Sequence, residues 1–271
     1  MTPVASGAGR TNPTGAPPRL LCVLAHPDDE SLGTGGTLAK YAAEGVEIAL
    51  VTATRGERGR CGASGAITPQ QLGRIREAEL REAARELGVR EVTMLGYPDG
   101  ALDQVDPAEA QDAIAGHIRR VEPQVVITFG PEGAYGHPDH VAICQLTTAA
   151  VVRAAVRYTV PKLYYIAWSA KTWAAYQSAL KKLTSTVDGV EREVVPALDW
   201  AITARIDTGD MWPSVWRAVQ CHQTQISIYQ TLASLPDDHH RALWGVQEFS
   251  RAFSLVSGGR RCESDLFEGL R

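Results

Sequence analysis

Long apolar stretches are missing from this 271-residue chain, and their absence argues against a membrane-spanning protein. No uninterrupted apolar run approaches the roughly 20 residues that a membrane-spanning helix needs, so no membrane span is predicted. A strong charge imbalance is missing as well, because the formal net charge is only -4 and charged residues make up 21% of the chain. This balance gives no indication of a nucleic-acid partner or of binding to an anionic membrane surface.

Cysteine pairs and a signal peptide are also missing. The five cysteines are widely spaced and never form a CxxC pair, which argues against a disulfide framework and against a zinc knuckle. Residues 1–18 contain one basic residue, Arg10, and no apolar segment typical of a secretory signal. We therefore predict a flexible tail over residues 1–18, a single domain over residues 19–271 and a cytoplasmic location.

Strand and helix patterns alternate from Arg19 onward. A Gly-rich turn, GTGG, is expected to lead into the first helix at Thr37, and Thr68 is expected to cap the second helix. Helix patterns of this kind separate apolar strand patterns at 19–25, 46–55, 91–95 and 124–129, and further strands are expected at 162–168 and 202–207. The alternation predicts an α/β fold, a Rossmann-like three-layer sandwich with a mainly parallel sheet.

Two clusters of polar residues follow predicted strands. AHPDDES, residues 25–31, comes directly after the first strand, and GAYGHPDH, residues 133–140, comes after the fourth. The loops at the carboxyl ends of parallel strands lie at one edge of the sheet, where ligands bind in open α/β folds. We therefore expect the side chains of the two clusters to converge.

These clusters hold the residue types that bind a divalent metal. His26, Asp28, Asp29 and a histidine of the second cluster offer mixed nitrogen and oxygen ligands, and a catalytic zinc usually takes three protein ligands and one water. Zinc lowers the pKa of that water to about 7, and a carboxylate left over from ligation can act as the general base. The alternative is that each HPD triplet is only a turn that caps the next helix.

HPDDE near the N-terminus, with GHPDH about 110 residues later, resembles the PIG-L/LmbE-like zinc deacetylases, which remove acetyl groups from N-acetylglucosaminides. The resemblance implies that His26, Asp29 and His140 bind the metal and that Asp28 is the general base. The metal is then Zn²⁺, although a site of histidine and carboxylate ligands also accepts Fe²⁺ or Co²⁺.

The same resemblance implies roles for three residues of the second cluster. His137 would be an imidazolium that stabilises the oxyanion and protonates the leaving amine, with protonated Asp28 as the alternative donor of that proton. Asp139 would orient His137 and stabilise its charge. Tyr135 would help to hold the tetrahedral intermediate.

Substrate-binding residues are less clearly indicated. Arg76 lies in an Arg-x-x-Glu pattern like that of the family, which implies contact with the substrate, while an exposed ion pair with Glu79 is the alternative. Asp99 in YPDG and Arg55 at the end of the second strand lie at the same predicted rim, where a plain turn and a solvated charge are the alternatives. His222 is expected to be a structural residue, and His240 is expected to lie at the surface.

The leading hypothesis is a metal-dependent hydrolase that removes an acetyl group from a small N-acetylated amino-sugar conjugate. The alternatives are a metal-dependent hydrolase of another N-acyl amide or of a phosphoester, and a metal-stabilised binding protein without turnover. The loop at 56–66 and the C-terminal region are expected to determine which aglycone is bound. The tryptophans beyond residue 167 are expected either to stack against the sugar ring or to pack in the core. Homo-oligomerisation has no readable signature and stays open.

Overall fold

A seven-stranded sheet forms the centre of the fold. The structure is a computed structural model that describes residues 15–59, 67–179, 184–187, 189–256, 259 and 261–271. The strands are β1 (Arg19–Leu24), β2 (Glu47–Thr54), β3 (Glu91–Tyr97), β4 (Val125–Thr128), β5 (Lys162–Ala167), β6 (Thr184–Val187), β7 (Val190–Glu193), β8 (Ala204–Asp207) and β9 (Val246–Ser254). The sheet order is β3-β2-β1-β4-β5-β9-β8, while β6 and β7 pair separately as a hairpin.

The helices pack in two groups. They are α1 (Asp29–Ala43), α2 (Pro69–Glu86), α3 (Pro107–Val121), the short α4 (Gly133–Gly136), α5 (Pro138–Ala154), α6 (Ala170–Ala179), α7 (Trp212–Cys221), α8 (Ile226–Ala233) and α9 (Asp237–Trp244). α7 packs against both α1 and α2, whereas α3 packs against α5. Neighbouring strands from β3 to β5 run parallel and β9 is antiparallel to both of its neighbours, so the predicted mainly parallel α/β sandwich is confirmed.

The order of the strands reverses beside β1. β1 pairs in parallel with β2 on one side and with β4 on the other, and its residues from Leu20 to Leu24 are fully buried. Helices on both faces exclude water from such a strand, which explains its continuous apolar sequence. Since β1 and β4 are adjacent, the two loops that follow them meet at the switch point of the sheet.

The first helix differs from the prediction. α1 begins at Asp29, eight residues before the expected start at Thr37, so the GTGG sequence is helical and is not a turn. A methyl group added to Gly36 would lie 2.8 Å from Cβ of Thr208, and one added to Gly35 would lie 3.3 Å from the side chain of Val215 on α7. These glycines let the C-terminal part of the chain approach α1 closely, a packing role that the sequence alone did not reveal.

The second helix agrees with the prediction. α2 begins at Pro69 behind the Thr68 cap, and Thr68 and Gln71 form a reciprocal capping box. Most of the predicted tail, residues 1–14, and the centre of the predicted aglycone loop, residues 60–66, lie outside the described residues. Within the described part of the chain, no helix combines the length and the apolar character needed to cross a membrane.

The C-terminal region was predicted incompletely. β5 and β8 lie where strands were expected, but β9 and the β6-β7 hairpin were not predicted. His240 was expected at the surface, yet it is 3% exposed and its ring stacks 5.3 Å from Trp212 and 5.4 Å from Trp244. The error arose because the polar sequence PDDHH gives no sign of the tryptophans that cover it.

Candidate active site

A cavity of about 370 Å³ opens at the carboxyl ends of β1 and β4. Both polar clusters contribute to it, as the sequence predicted. Residues from later in the chain complete its walls. The lining residues discussed below are His26, Asp28, Asp29, Arg76, Asp99, Tyr135, His137, His140, Trp168, Trp173 and Tyr229.

Three side chains at the base of this cavity form a compact set of ligand atoms. Nδ1 of His26 lies 3.2 Å from Nε2 of His140, and these atoms lie 3.6 Å and 3.4 Å, respectively, from the two carboxylate oxygens of Asp29. Zinc bonds of about 2.0–2.1 Å at tetrahedral angles place neighbouring ligand atoms about 3.3 Å apart. The spacing of these donor atoms therefore fits a zinc ion, which His26, Asp29 and His140 would hold.

Two other groups of three residues also bring ligand atoms together, and both include His26. One adds His137 and His140, the other adds Asp99 and Asp139, and within each group the atoms lie within 4.8 Å of one another. The set containing Asp29 combines two imidazoles with a carboxylate, as catalytic zinc sites do. It also leaves the other nitrogen of His26 to bond a carboxylate, as metal-binding histidines commonly do.

Asp139 faces His26. Its Oδ2 lies 3.0 Å from Nε2 of His26, and its two oxygens accept the backbone N–H groups of Gly100 and Leu102 at 2.7 and 3.0 Å. This differs from the expectation that the Asp139 carboxylate orients His137, because only the backbone N–H of Asp139 contacts that ring. A carboxylate on Nε2 fixes the proton there and leaves Nδ1 of His26 free to ligate a metal.

Asp28 is held beside this set in an unusual backbone conformation. Its φ angle is 99°, in the left-handed region that non-glycine residues rarely adopt. Oδ2 of Asp28 accepts bonds from the Tyr229 hydroxyl at 2.8 Å and from Arg76 at 3.2 Å. Burial raises the pKa of Asp28, and the charge of Arg76 opposes that rise, so the carboxyl group is a better proton acceptor than an ordinary aspartate.

Arg76 lies in the site, and the alternative of an exposed ion pair with Glu79 is wrong. The side chain is 4% exposed, and besides Asp28 it bonds the backbone carbonyls of Gly56 at 2.7 Å and Pro27 at 2.6 Å. Glu79 instead accepts bonds from the backbone and hydroxyl of Thr224. Arg76 thus connects the first polar cluster to the loop after β2.

The surroundings of His137 disfavour a positive charge on its ring. Burial, followed by the neighbouring rings of His140 and His26, lowers the pKa of His137 to about 4, a direction that opposes the expected imidazolium. Nδ1 of His137 accepts the backbone N–H of Asp139 at 3.2 Å, so the single ring proton is on Nε2. Tyr135 lies beside it with ring centroids 5.9 Å apart, and burial raises the pKa of the Tyr135 hydroxyl.

The structure places the other two predicted substrate-binding residues differently. Asp99 lines the cavity, with one oxygen 3.2 Å from Nε2 of His26 and the other accepting the backbone N–H of Arg58. Arg55 does not reach the cavity. It pairs with Glu77 at 2.8 Å and lines a separate groove, because its side chain turns towards α2.

Several residues of the site were missed or underrated by sequence reasoning. Glu30, within the AHPDDES cluster, is fully buried and accepts the backbone N–H of Asp28 at 2.9 Å. Its other oxygen lies 2.8 Å from Nε2 of His222, which agrees with the structural role expected for His222. Tyr229 was not singled out at all, since a lone tyrosine in an apolar helix carries no signal of a distant partner.

Comparison with known proteins assigns the chain to a family. The sequence profile described as GlcNAc-PI de-N-acetylase, PIG-L, matches residues 21–151. A 1D-myo-inositol 2-acetamido-2-deoxy-alpha-D-glucopyranoside deacetylase of Actinosynnema mirum is 36% identical over 94% of this chain and 98% of its own length. That match extends well beyond residue 151, so the C-terminal half is similar to the relative as well.

Solved structures share the fold. N,N'-diacetylchitobiose deacetylase of Pyrococcus horikoshii is 20% identical with a TM-score of 0.64, over 86% of this chain and 83% of its own. A 4-carboxy-2-hydroxymuconate hydratase of Pseuodomonas putida, GalB, is 18% identical with a TM-score of 0.65, over 89% and 99%. The fold therefore accommodates more than one reaction, whereas the closely covered deacetylase sequence decides the family. The chain belongs to the PIG-L family of de-N-acetylases.

Proposed function

We propose that the protein is a metal-dependent hydrolase that removes the acetyl group from a small N-acetylglucosaminide. The observation that carries the proposal is the juxtaposition of a compact ligand set, His26, Asp29 and His140, with an adjacent carboxylate, Asp28, that is not part of that set. The full-length similarity to an inositol glucosaminide deacetylase supports the same reaction. Zn²⁺ suits this donor set, and Fe²⁺ and Co²⁺ are the alternatives.

The residues of the cavity divide the proton transfers between them. A bound zinc ion would polarise the acetamide carbonyl and acidify a water molecule. Asp28 takes a proton from the attacking water while the water oxygen bonds to the carbonyl carbon. Nε2–H of His137 donates a hydrogen bond to the oxyanion that develops, with the Tyr135 hydroxyl as a second donor.

Release of the amine completes the reaction. The bond between the acetyl carbon and nitrogen breaks only when the nitrogen is protonated, because an amide anion is a very poor leaving group. Since burial and the neighbouring rings disfavour a protonated His137, we assign this proton to Asp28, which has just received one from water. The products are acetic acid and the free amino sugar, the acid proton then passes to the amine or to solvent, and Asp28 returns to its ionised form.

The walls of the cavity suit a sugar with both a polar and an apolar face. Arg76 and Asp99 line the cavity and offer charged partners for hydroxyl groups. Trp168 and Trp173 also line it, and aromatic rings can cover the C–H face of a sugar. We propose a small-molecule partner. We also propose a cytoplasmic location, which is supported by the free thiols of the described cysteines, Cys22, Cys144, Cys221 and Cys262.

Amine release from a panel of substrates tests the proposed function. The panel contains N-acetylglucosaminides with inositol, methyl and aryl aglycones, an N-butyryl analogue and an aryl phosphate, each assayed with chelated protein and with protein restored with zinc. We expect release of a primary amine only from the restored protein and only from the N-acetyl sugars. Hydrolysis of the phosphate alone, or no hydrolysis despite one bound metal per chain, would contradict the proposal.

Substitution of Trp173 tests the aromatic wall. Trp173→Ala should raise KM for an N-acetylglucosaminide about tenfold and leave kcat within about threefold, because the ring contacts the sugar and not the reacting atoms. Trp200→Ala is the matched control, since Trp200 is 65% exposed and lies outside the lining of the cavity. Equal kinetics for the two variants would remove Trp173 from the binding site.

A further inference from the structure

Tyr229 connects the C-terminal region of the chain directly to the proposed general base. It lies on α8, 201 residues after Asp28, and donates its hydroxyl proton to Oδ2 of Asp28 at 2.8 Å. The tyrosine is 5% exposed, so water does not compete effectively for this bond. Its position in the interior is therefore compatible with a defined, single orientation of the hydroxyl group.

The two donors to Asp28 act on the same oxygen. Arg76 donates to Oδ2 at 3.2 Å, as Tyr229 does, and no described residue donates to Oδ1. A carboxylate whose Oδ2 is held by two donors presents its other oxygen in a fixed direction. We propose that Tyr229 is a positioning residue, which turns Oδ1 of Asp28 towards the attacking water.

Nearby residues of the same region hold the backbone of Asp28. His222 bonds Glu30, and Glu30 accepts the backbone N–H of Asp28. Such support matters because Asp28 has a left-handed backbone, a conformation that costs free energy and persists only when its surroundings enforce it. The segment from His222 to Tyr229 thus contacts both the backbone, through Glu30, and the side chain of the proposed base.

The inference rests on the proposed function, because positioning has a kinetic effect only if Asp28 takes a proton. Tyr229→Phe keeps the ring and removes only the donor. We expect kcat for an N-acetylglucosaminide to fall roughly tenfold or more, with KM and zinc content unchanged. A merely structural role would lower stability without this separation of kcat from KM.

Tyr41 provides a matched control outside the site. It is also fully buried, and its hydroxyl donates to a carboxylate oxygen of Asp265 at 2.9 Å. Tyr41→Phe therefore removes the same type of bond, together with the bond that the hydroxyl accepts from the backbone N–H of Leu266, and should lower the melting temperature without lowering kcat. If Tyr229→Phe and Tyr41→Phe have the same kcat, or if Tyr229→Phe alters KM or zinc content alone, the inference is overturned.

A double-mutant cycle separates this inference from the proposed function. The equilibrium constant of unfolding is measured for Asp28→Ala, for Tyr229→Phe and for the double variant. We expect the effect of the double variant to differ about fivefold from the product of the two single effects, whether or not a substrate is known. Additive effects would overturn the inference. Absence of amine release by the wild-type protein would instead overturn the proposed function, and the cycle would then test only whether Tyr229 and Asp28 interact.

If Tyr229→Phe does not fold, 3-fluorotyrosine at position 229 provides a second test. This residue retains the hydroxyl donor and should retain kcat, while a tenfold loss of kcat would contradict the inference.

Discussion

Asp28→Asn should lower kcat for an N-acetylglucosaminide by roughly 10²- to 10⁴-fold, the range over which general bases contribute. The amide has nearly the same shape as the carboxylate and can still accept the Tyr229 hydroxyl bond. Asparagine also tolerates the left-handed backbone that Asp28 adopts. The variant therefore removes the proton acceptor with little change elsewhere. Steady-state kinetics together with metal analysis check the result.

Asp265→Asn is the control for this substitution. Asp265 accepts a tyrosine hydroxyl bond, as Asp28 does, but its partner is Tyr41 and it lies outside the cavity. The control should retain kcat even if its melting temperature falls. An Asp28→Asn variant with at least half of the wild-type kcat would eliminate Asp28 as the base, and one without metal would make it a ligand.

The part of the fold that carries the ligand set was predictable because it depends on local patterns. Apolar strands followed by polar loops and then by helices leave few arrangements open, and parallel crossovers bring the ends of β1 and β4 to one edge. The two clusters had to converge once that topology was assumed. The Thr68 cap was predictable for a similar reason, since its partner Gln71 is only three residues away.

The remaining elements depend on distant packing, which a single sequence does not encode locally. The glycines before Leu38 have the composition of a turn, yet they lie within α1, where Thr208 and Val215 pack in the space that side chains would otherwise fill. Tyr229 acts on a residue 201 positions earlier, and no spacing rule covers such a separation. Sequence reasoning therefore brought the two polar clusters together but did not reveal the packing that supports them.

The surroundings of His137 were beyond prediction from the motif. GHPDH identifies a histidine near a metal site but does not reveal how many imidazoles surround it. In the fold, the rings of His26 and His140 lie 4.8 Å from that of His137, and burial together with these neighbours disfavours a positive charge. The Asp139 carboxylate, which was expected to stabilise that charge, bonds His26 instead.

Asp29→Ala should abolish both metal binding and activity. Asp29 supplies the only carboxylate of the compact ligand set, and two histidines alone leave too few ligands for a catalytic zinc site. We expect the zinc content of the purified variant to fall from about one ion per chain to below one tenth. Elemental analysis after dialysis against a dilute zinc buffer measures it, and thermal unfolding shows whether the variant is folded.

His137→Ala and Asp139→Ala test the two competing groups of ligand atoms. His137 belongs only to the group of three histidines, and Asp139 belongs only to the group with His26 and Asp99. Loss of zinc in one variant therefore identifies the group that binds the metal. We expect His137→Ala to retain zinc and to lose rate. Asp139→Ala should retain a weaker site, because Asp139 fixes the His26 ring without ligating the metal. A His137→Ala variant without zinc, beside an Asp29→Ala variant that retains it, would transfer the metal to the three histidines and leave Asp29 to support them.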